Sequence, residues 1–156
     1  MKYQLKPHTQ KLLADLQTPV GIYLKVRDLF PESALLESSD YHSKEDACSI
    51  IGVAPMARFQ VQNGRVTASF PDGRREETPL SENGTVPGLF KSFLDRFEIV
   101  NGKDAPMNGL LGYTAADAAY LFEDTGVTLP APAADAPPTM LYLLYRILIV
   151  INHFKN

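Results

Sequence analysis

At 156 residues, with 45% apolar and 21% charged side chains, the chain has the make-up of one globular domain, long enough to bury about 70% of its unfolded surface. Its net charge of −3, with Lys and Arg spread along the chain, leaves no basic footprint for nucleic acid. The single cysteine, Cys48, excludes an internal disulfide and suits a reducing compartment.

The N-terminal Met1-Lys2-Tyr3-Gln4-Leu5-Lys6-Pro7 lacks the apolar core and cleavage site of a secretory signal. The longest apolar run, residues 140–151, is interrupted by Arg146 and is too short to span a bilayer. These features predict a cytoplasmic protein with no membrane partner.

In chain order, residues 9–16 read as a short helix, with Leu12, Leu13 and Leu16 on one face, broken at Thr18-Pro19. Ile22, Leu24 and Val26 alternate with Tyr23, Lys25 and Arg27, which predicts a half-buried strand. Residues 33–38 form a second strand candidate. Ser43 can cap a helix whose first turn holds Glu45 and Asp46, where the helix dipole favours acids. Residues 48–53 are apolar and β-prone. Residues 58–62 and 65–70 alternate apolar and polar around Asn63-Gly64, a pair suited to the positive φ angles of a type I′ hairpin. Pro71-Asp72-Gly73 marks a further turn.

Pro87 opens a predicted helix to about Phe97, with Leu89, Phe90, Phe93, Leu94 and Phe97 at helical spacing. Such an aromatic stripe is read as core packing rather than as a cofactor box. Residues 109–113 read as a buried strand, and Thr114 as the cap of a helix over 115–123. Residues 125–138, with Pro130, Pro132, Pro137 and Pro138, form a loop. Residues 146–156 form the last strand. No internal repeat is visible. Strands in hairpin order with helices between groups predict an α+β fold with a largely antiparallel sheet. A strand as apolar as the last one needs neighbours on both sides, so an end directly after it suggests a cut chain.

Chemistry is sparse. The chain has no Walker loop, dinucleotide fingerprint, His-Glu-x-x-His or paired cysteines, and residues 84–88 do not make a phosphate cradle. His8, His42 and His153 lie far apart in sequence, and Asp40, Glu45 and Asp46 near His42 read as a solvated helix start; no metal site is expected. Cys48 reads as a small apolar core residue rather than a nucleophile. Glu37 is different. It follows Leu35-Leu36 at a strand end, where a carboxylate would be partly buried and would need a cation or several donors. Either the ammonium of a bound amino acid, with Ser38 and Ser39 beside it, or a Lys or Arg of this chain would serve.

Three segments carry a family resemblance in consistent order. They are Leu35-Leu36-Glu37-Ser38-Ser39-Asp40 followed by Ser43-Lys44-Glu45-Asp46, then Asn108-Gly109-Leu110-Leu111-Gly112-Tyr113 with Asp117 and Phe122-Glu123, then the closing Arg146 to Asn156 strand. Together they resemble the N-terminal, effector-binding region of anthranilate synthase component I, over about residues 18–156. The resemblance implies the N-terminal half of that α+β fold, with the whole chain (residues 1–156) as one regulatory region. The parent enzyme is a lyase that converts chorismate to anthranilate in tryptophan biosynthesis. Its ammonia comes from a glutamine amidotransferase subunit, component II. Chorismate and magnesium bind in a C-terminal catalytic region that this chain does not contain, so no catalytic residue, metal ligand or cofactor is assigned here.

By the same resemblance, Leu36, Glu37 and Ser38 hold the feedback inhibitor tryptophan, with Glu37 on its amino group. Cys48 falls where some family members carry a lysine of that pocket. Asn108, Gly109 and Tyr113 fall in the family's Gly-Gly-Leu-x-Gly-Tyr pattern, with Asn108 in place of the first glycine, and are expected beside the pocket. Aminodeoxychorismate synthase component I is the near alternative, and a stand-alone amino-acid-binding module is the alternative of another class.

Overall fold

In the computed structural model, the structure describes residues 2–37, 47–80, 85–100, 108–122 and 135–153. These residues form eight strands, β1 (Tyr3–Leu5), β2 (Ala34–Glu37), β3 (Cys48–Gln62), β4 (Arg65–Ser69), β5 (Arg75–Pro79), β6 (Phe97–Ile99), β7 (Leu111–Thr114) and β8 (Met140–Asn152). Two α-helices, α1 (Pro19–Val26) and α2 (Val86–Leu94), and a 3₁₀ helix over Ala116–Leu121 complete them. The main sheet has strand order β5-β4-β3-β8-β7, with β2 also paired to β3, while β1 and β6 form a parallel pair. The registered pairings of the main sheet, β2–β3, β3–β4, β4–β5 and β7–β8, are antiparallel. The mixed composition and antiparallel sheet are those expected. The predicted helix start at Ser43 lies outside the described residues.

The chain divides into two compact units, Met1–His8 with Ala57–Leu143, and Thr9–Met56 with Leu144–Asn156. In the first, the hairpin forms as its sequence dictates. Asn63 and Gly64 take φ of 50° and 70°, and the strands pair from Gln62↔Arg65 to Arg58↔Ser69. Pro71-Asp72-Gly73 turns the chain into β5, with Gly73 at φ 82°. The sequence did not reveal β5 because Arg75-Glu76-Glu77 looks like solvated loop. It is the outermost strand of the sheet order, where charged side chains block edge-to-edge association.

The aromatic stripe of α2 is core packing, as expected. Phe59 of β3 lies 4.9 Å from the ring of Phe90 and 5.6 Å from that of Phe93. Phe93 also touches Phe70 and Phe97, and Tyr3 of β1 stacks on both of the latter at 5.6 Å. Each fully buried ring of this kind contributes about 1.5–3 kcal/mol by removal from water. The helix stops at Leu94 and Phe97 opens β6, because Phe97 pairs with Tyr3 in the parallel register. Thr114 does not cap a helix. Its hydroxyl shares a hydrogen bond with Tyr142 Oη at 2.9 Å across the β7–β8 pair, leaving Ala115 at the cap without a side-chain acceptor, and a 3₁₀ helix follows. The strand predicted as buried over 109–113 is instead the short β7, largely exposed because it ends the sheet order.

The second unit corrects two further expectations. Residues 9–16 are not helical, and Leu12, Leu13 and Leu16 are 77%, 85% and 93% exposed. The predicted strand over 22–26 is helix α1. Thr18 supplies its N-cap, accepting from the Gly21 amide at 3.0 Å, and Pro19 sets the first turn. The Thr-Pro pair read as a helix stop is therefore a helix start. Residues 48–53 and 58–62, separated in sequence by Ala54-Pro55-Met56-Ala57, belong to one 15-residue strand. Ala54 takes φ 56° beside the proline, which lets a residue without an amide donor sit inside a strand. On β8, Tyr145 is 5% exposed and its hydroxyl donates to the Glu32 carbonyl at 2.7 Å. The ring lies over Gly52, where a Cβ would come within 2.5 Å of it.

Two outcomes test this description. Gly112 faces β8 backbone, where a Cβ would meet the Leu141 carbonyl and sit 2.7 Å from Tyr142 Cα, whereas Gly109 has nothing within 4 Å. Gly112→Ala is expected to cost about 1–3 kcal/mol in urea unfolding and Gly109→Ala close to nothing. The Tyr3 hydroxyl donates to Asp72 Oδ2 at 2.8 Å, and that bond, with the Arg74 amide, holds the Asp72 carboxyl below its ordinary 3.8. A carboxylate with a depressed folded pKa stabilises the fold above the unfolded value and loses that contribution as pH falls through the folded one. The stability difference between wild type and Tyr3→Phe should thus be present above about pH 4 and shrink in more acidic buffer.

Candidate effector-site residues

Within the second unit, β2 pairs with β3 so that Leu36 faces Ile50 and Glu37 faces Ser49. Successive residues on a strand point to opposite faces. Leu36 therefore shares a face with Ile50 and Cys48, and Glu37 shares the other with Ser49 and Ile51. Leu36 is 39% exposed and Cys48, a free thiol, is half-buried. The expected Leu36, Glu37 and Cys48 are neighbours on two adjacent strands but are split between the two faces. Ser38 lies outside the described residues.

Glu37 was expected to be partly buried. It is exposed, because β2 ends there. What is buried is its cross-strand partner. Ser49 is 0% exposed, and its Oγ lies 3.5 Å from Glu37 Oε1 and 2.9 Å from His153 Nε2. The amide of His153 donates to the Ala47 carbonyl at 3.0 Å, which fixes the end of β8 beside the start of β3. Among the described residues no Lys or Arg forms an ion pair with Glu37.

Sequence reasoning missed Ser49 and His153. Ser49 sits inside an apolar run, and His153 has no sequence neighbour that marks it as its partner. The available signal was a hydroxyl at an inward position of an otherwise apolar strand. Among the described residues no group of three His, Cys, Asp or Glu could hold a metal ion. No helix among them is long and apolar enough to cross a membrane.

In the first unit, Asn108 and Gly109 are exposed just before β7, and Tyr113 on β7 is 39% exposed. Gly112, from the same pattern, is the position that admits β8 backbone.

Glu37→Ala leaves the buried Ser49 hydroxyl without its acceptor and is expected to cost about 1–3 kcal/mol in urea denaturation.

No protein-family model matches the chain. Three relatives named anthranilate synthase component 1 match it nearly end to end. The protein from Thermus thermophilus is 30% identical over 157 residues, covering 98% of this chain. Those from Pseudomonas aeruginosa and Neisseria gonorrhoeae are 29% and 30% identical, each covering 99% of it. The chain spans about a third of these curated relatives, 31% of the length of each. Over nearly its whole length the chain is thus similar to a part of anthranilate synthase component 1.

Proposed function

We propose that the chain is the N-terminal, regulatory part of an anthranilate synthase component 1 and carries half of a tryptophan feedback site. The whole enzyme would convert chorismate to anthranilate in the cytoplasm. Ammonia would come from a glutamine amidotransferase partner, and magnesium and chorismate would be held by the enzyme's remaining part.

The observation that supports an effector role is Glu37. It is an exposed carboxylate at the end of β2, next to a buried hydroxyl, in a sequence context that resembles the family's effector motif. A carboxylate so placed can accept from an α-ammonium group. Ser38, Leu36 and Cys48 are the neighbouring candidates, and Asn108, Gly109 and Tyr113 a second group. Inhibition would follow from a population shift. Tryptophan binds one arrangement of the enzyme more tightly than another, and its effect is bounded by that difference in affinity.

In the full-length enzyme, Glu37→Ala should raise the tryptophan concentration needed for half-inhibition at least about tenfold, as expected for loss of a charge-assisted contact. Anthranilate formation followed by fluorescence over a tryptophan titration measures this. An unchanged titration would contradict the assignment. Turnover that falls in step with inhibition would make Glu37 a structural residue instead.

A further inference from the structure

We propose that Ser49 and His153 are positioning residues for Glu37, the buried Ser49 hydroxyl donating to the Glu37 carboxylate and being held in that orientation by the His153 Nε2–H. The inference rests on the reading of Glu37 as the acceptor of tryptophan's ammonium group.

A serine hydroxyl has one proton to give and can accept in return. An ionised carboxylate can only accept, so a hydrogen bond between Ser49 and Glu37 uses the Ser49 proton. With Ser49 Oγ 3.5 Å from Glu37 Oε1 and giving its proton there, the imidazole nitrogen 2.9 Å from Ser49 Oγ is the donor to it, and the proposal assigns a proton to His153 Nε2. Ser49 is 0% exposed, so water does not replace either partner. The imidazole is itself placed by main chain, since the His153 amide bonds the Ala47 carbonyl two residues before Ser49.

The result is a directional chain from the end of β8, through a buried hydroxyl of β3, to a carboxylate at the end of β2. Its effect is to narrow the positions open to an otherwise exposed Glu37 side chain. A preorganised carboxylate loses less freedom on binding than a loose one, so affinity rises without a new ligand contact. His153 thereby acquires a role that touches no ligand.

The test is tryptophan binding to the full-length polypeptide by isothermal titration calorimetry, with thermal unfolding as a control for fold. Ser49→Ala and His153→Ala are each expected to raise Kd roughly five- to tenfold, the loss of one side chain's preorganisation. His153→Gln, whose amide N–H can reach the place of Nε2–H, is expected to stay within about twofold of wild type. Should Ser49→Ala not fold, the exposed His153 pair decides. His153→Gln binding as weakly as His153→Ala would overturn the proposal, as would wild-type affinity in Ser49→Ala and His153→Ala while Glu37→Ala has lost binding. That second pattern would leave the effector reading standing. Wild-type affinity in Glu37→Ala, or no tryptophan binding by the wild type, would remove the effector reading and this proposal with it.

Discussion

Alternation along β3 is the constraint on which the described structure depends. From Ser49 through Ile51, Val53, Ala57 and Phe59 to Val61, every odd-numbered residue except Pro55 turns to a buried environment. In one unit this places Phe59 against the rings of α2, and Phe70 and Phe93 join it in a continuous aromatic core. In the other it carries Ser49 under Glu37 and seats Ile51 in the interior. A one-residue slip of β3 would expose each of these side chains at once, so hydrophobic burial fixes the register strongly. The polar pair at Glu37 and Ser49 is thus positioned by the same alternation that builds the core.

The chemistry at that pair comes from a contrast in solvent access. A fully buried hydroxyl must have its hydrogen-bonding needs met inside the protein, and the two groups that meet them are a carboxylate and an imidazole that both reach solvent. A carboxylate tethered from below and open above is suited to an incoming cation. Under the proposed function that cation is a ligand's ammonium group, and Ser49, 0% exposed, stays beneath it. The curated relatives that the chain matches are each about three times its length, 31% of each being covered.

The sequence was most legible where local chemistry and tertiary packing agree. Asn63-Gly64 alone dictates the hairpin, and the Phe90, Phe93 spacing alone dictates the buried face of α2. It misled where one local signal has two meanings. Thr18-Pro19 can end one helix or cap another, and Pro55 inside an apolar stretch looks like a break although a positive φ at Ala54 carries the strand through it. The short strands β1 and β6 are too brief for a period to show, since they exist through the stacking of Tyr3 on Phe97 rather than through any propensity of their own. Of the candidate site, Glu37 is marked in the sequence by its place after two leucines, but the partial burial expected there fails because β2 ends at Glu37. Its partners are not marked, because pairing of residues 12 and 104 positions apart is a product of topology.

Under the proposed function this chain regulates an anthranilate-forming enzyme. The most direct measurement supplies the full-length polypeptide with chorismate, magnesium and ammonia and follows anthranilate fluorescence with and without tryptophan. The account predicts anthranilate formation that tryptophan suppresses. Formation indifferent to tryptophan would contradict the regulatory role of Glu37 and its neighbours, and absence of anthranilate would contradict the enzyme assignment itself.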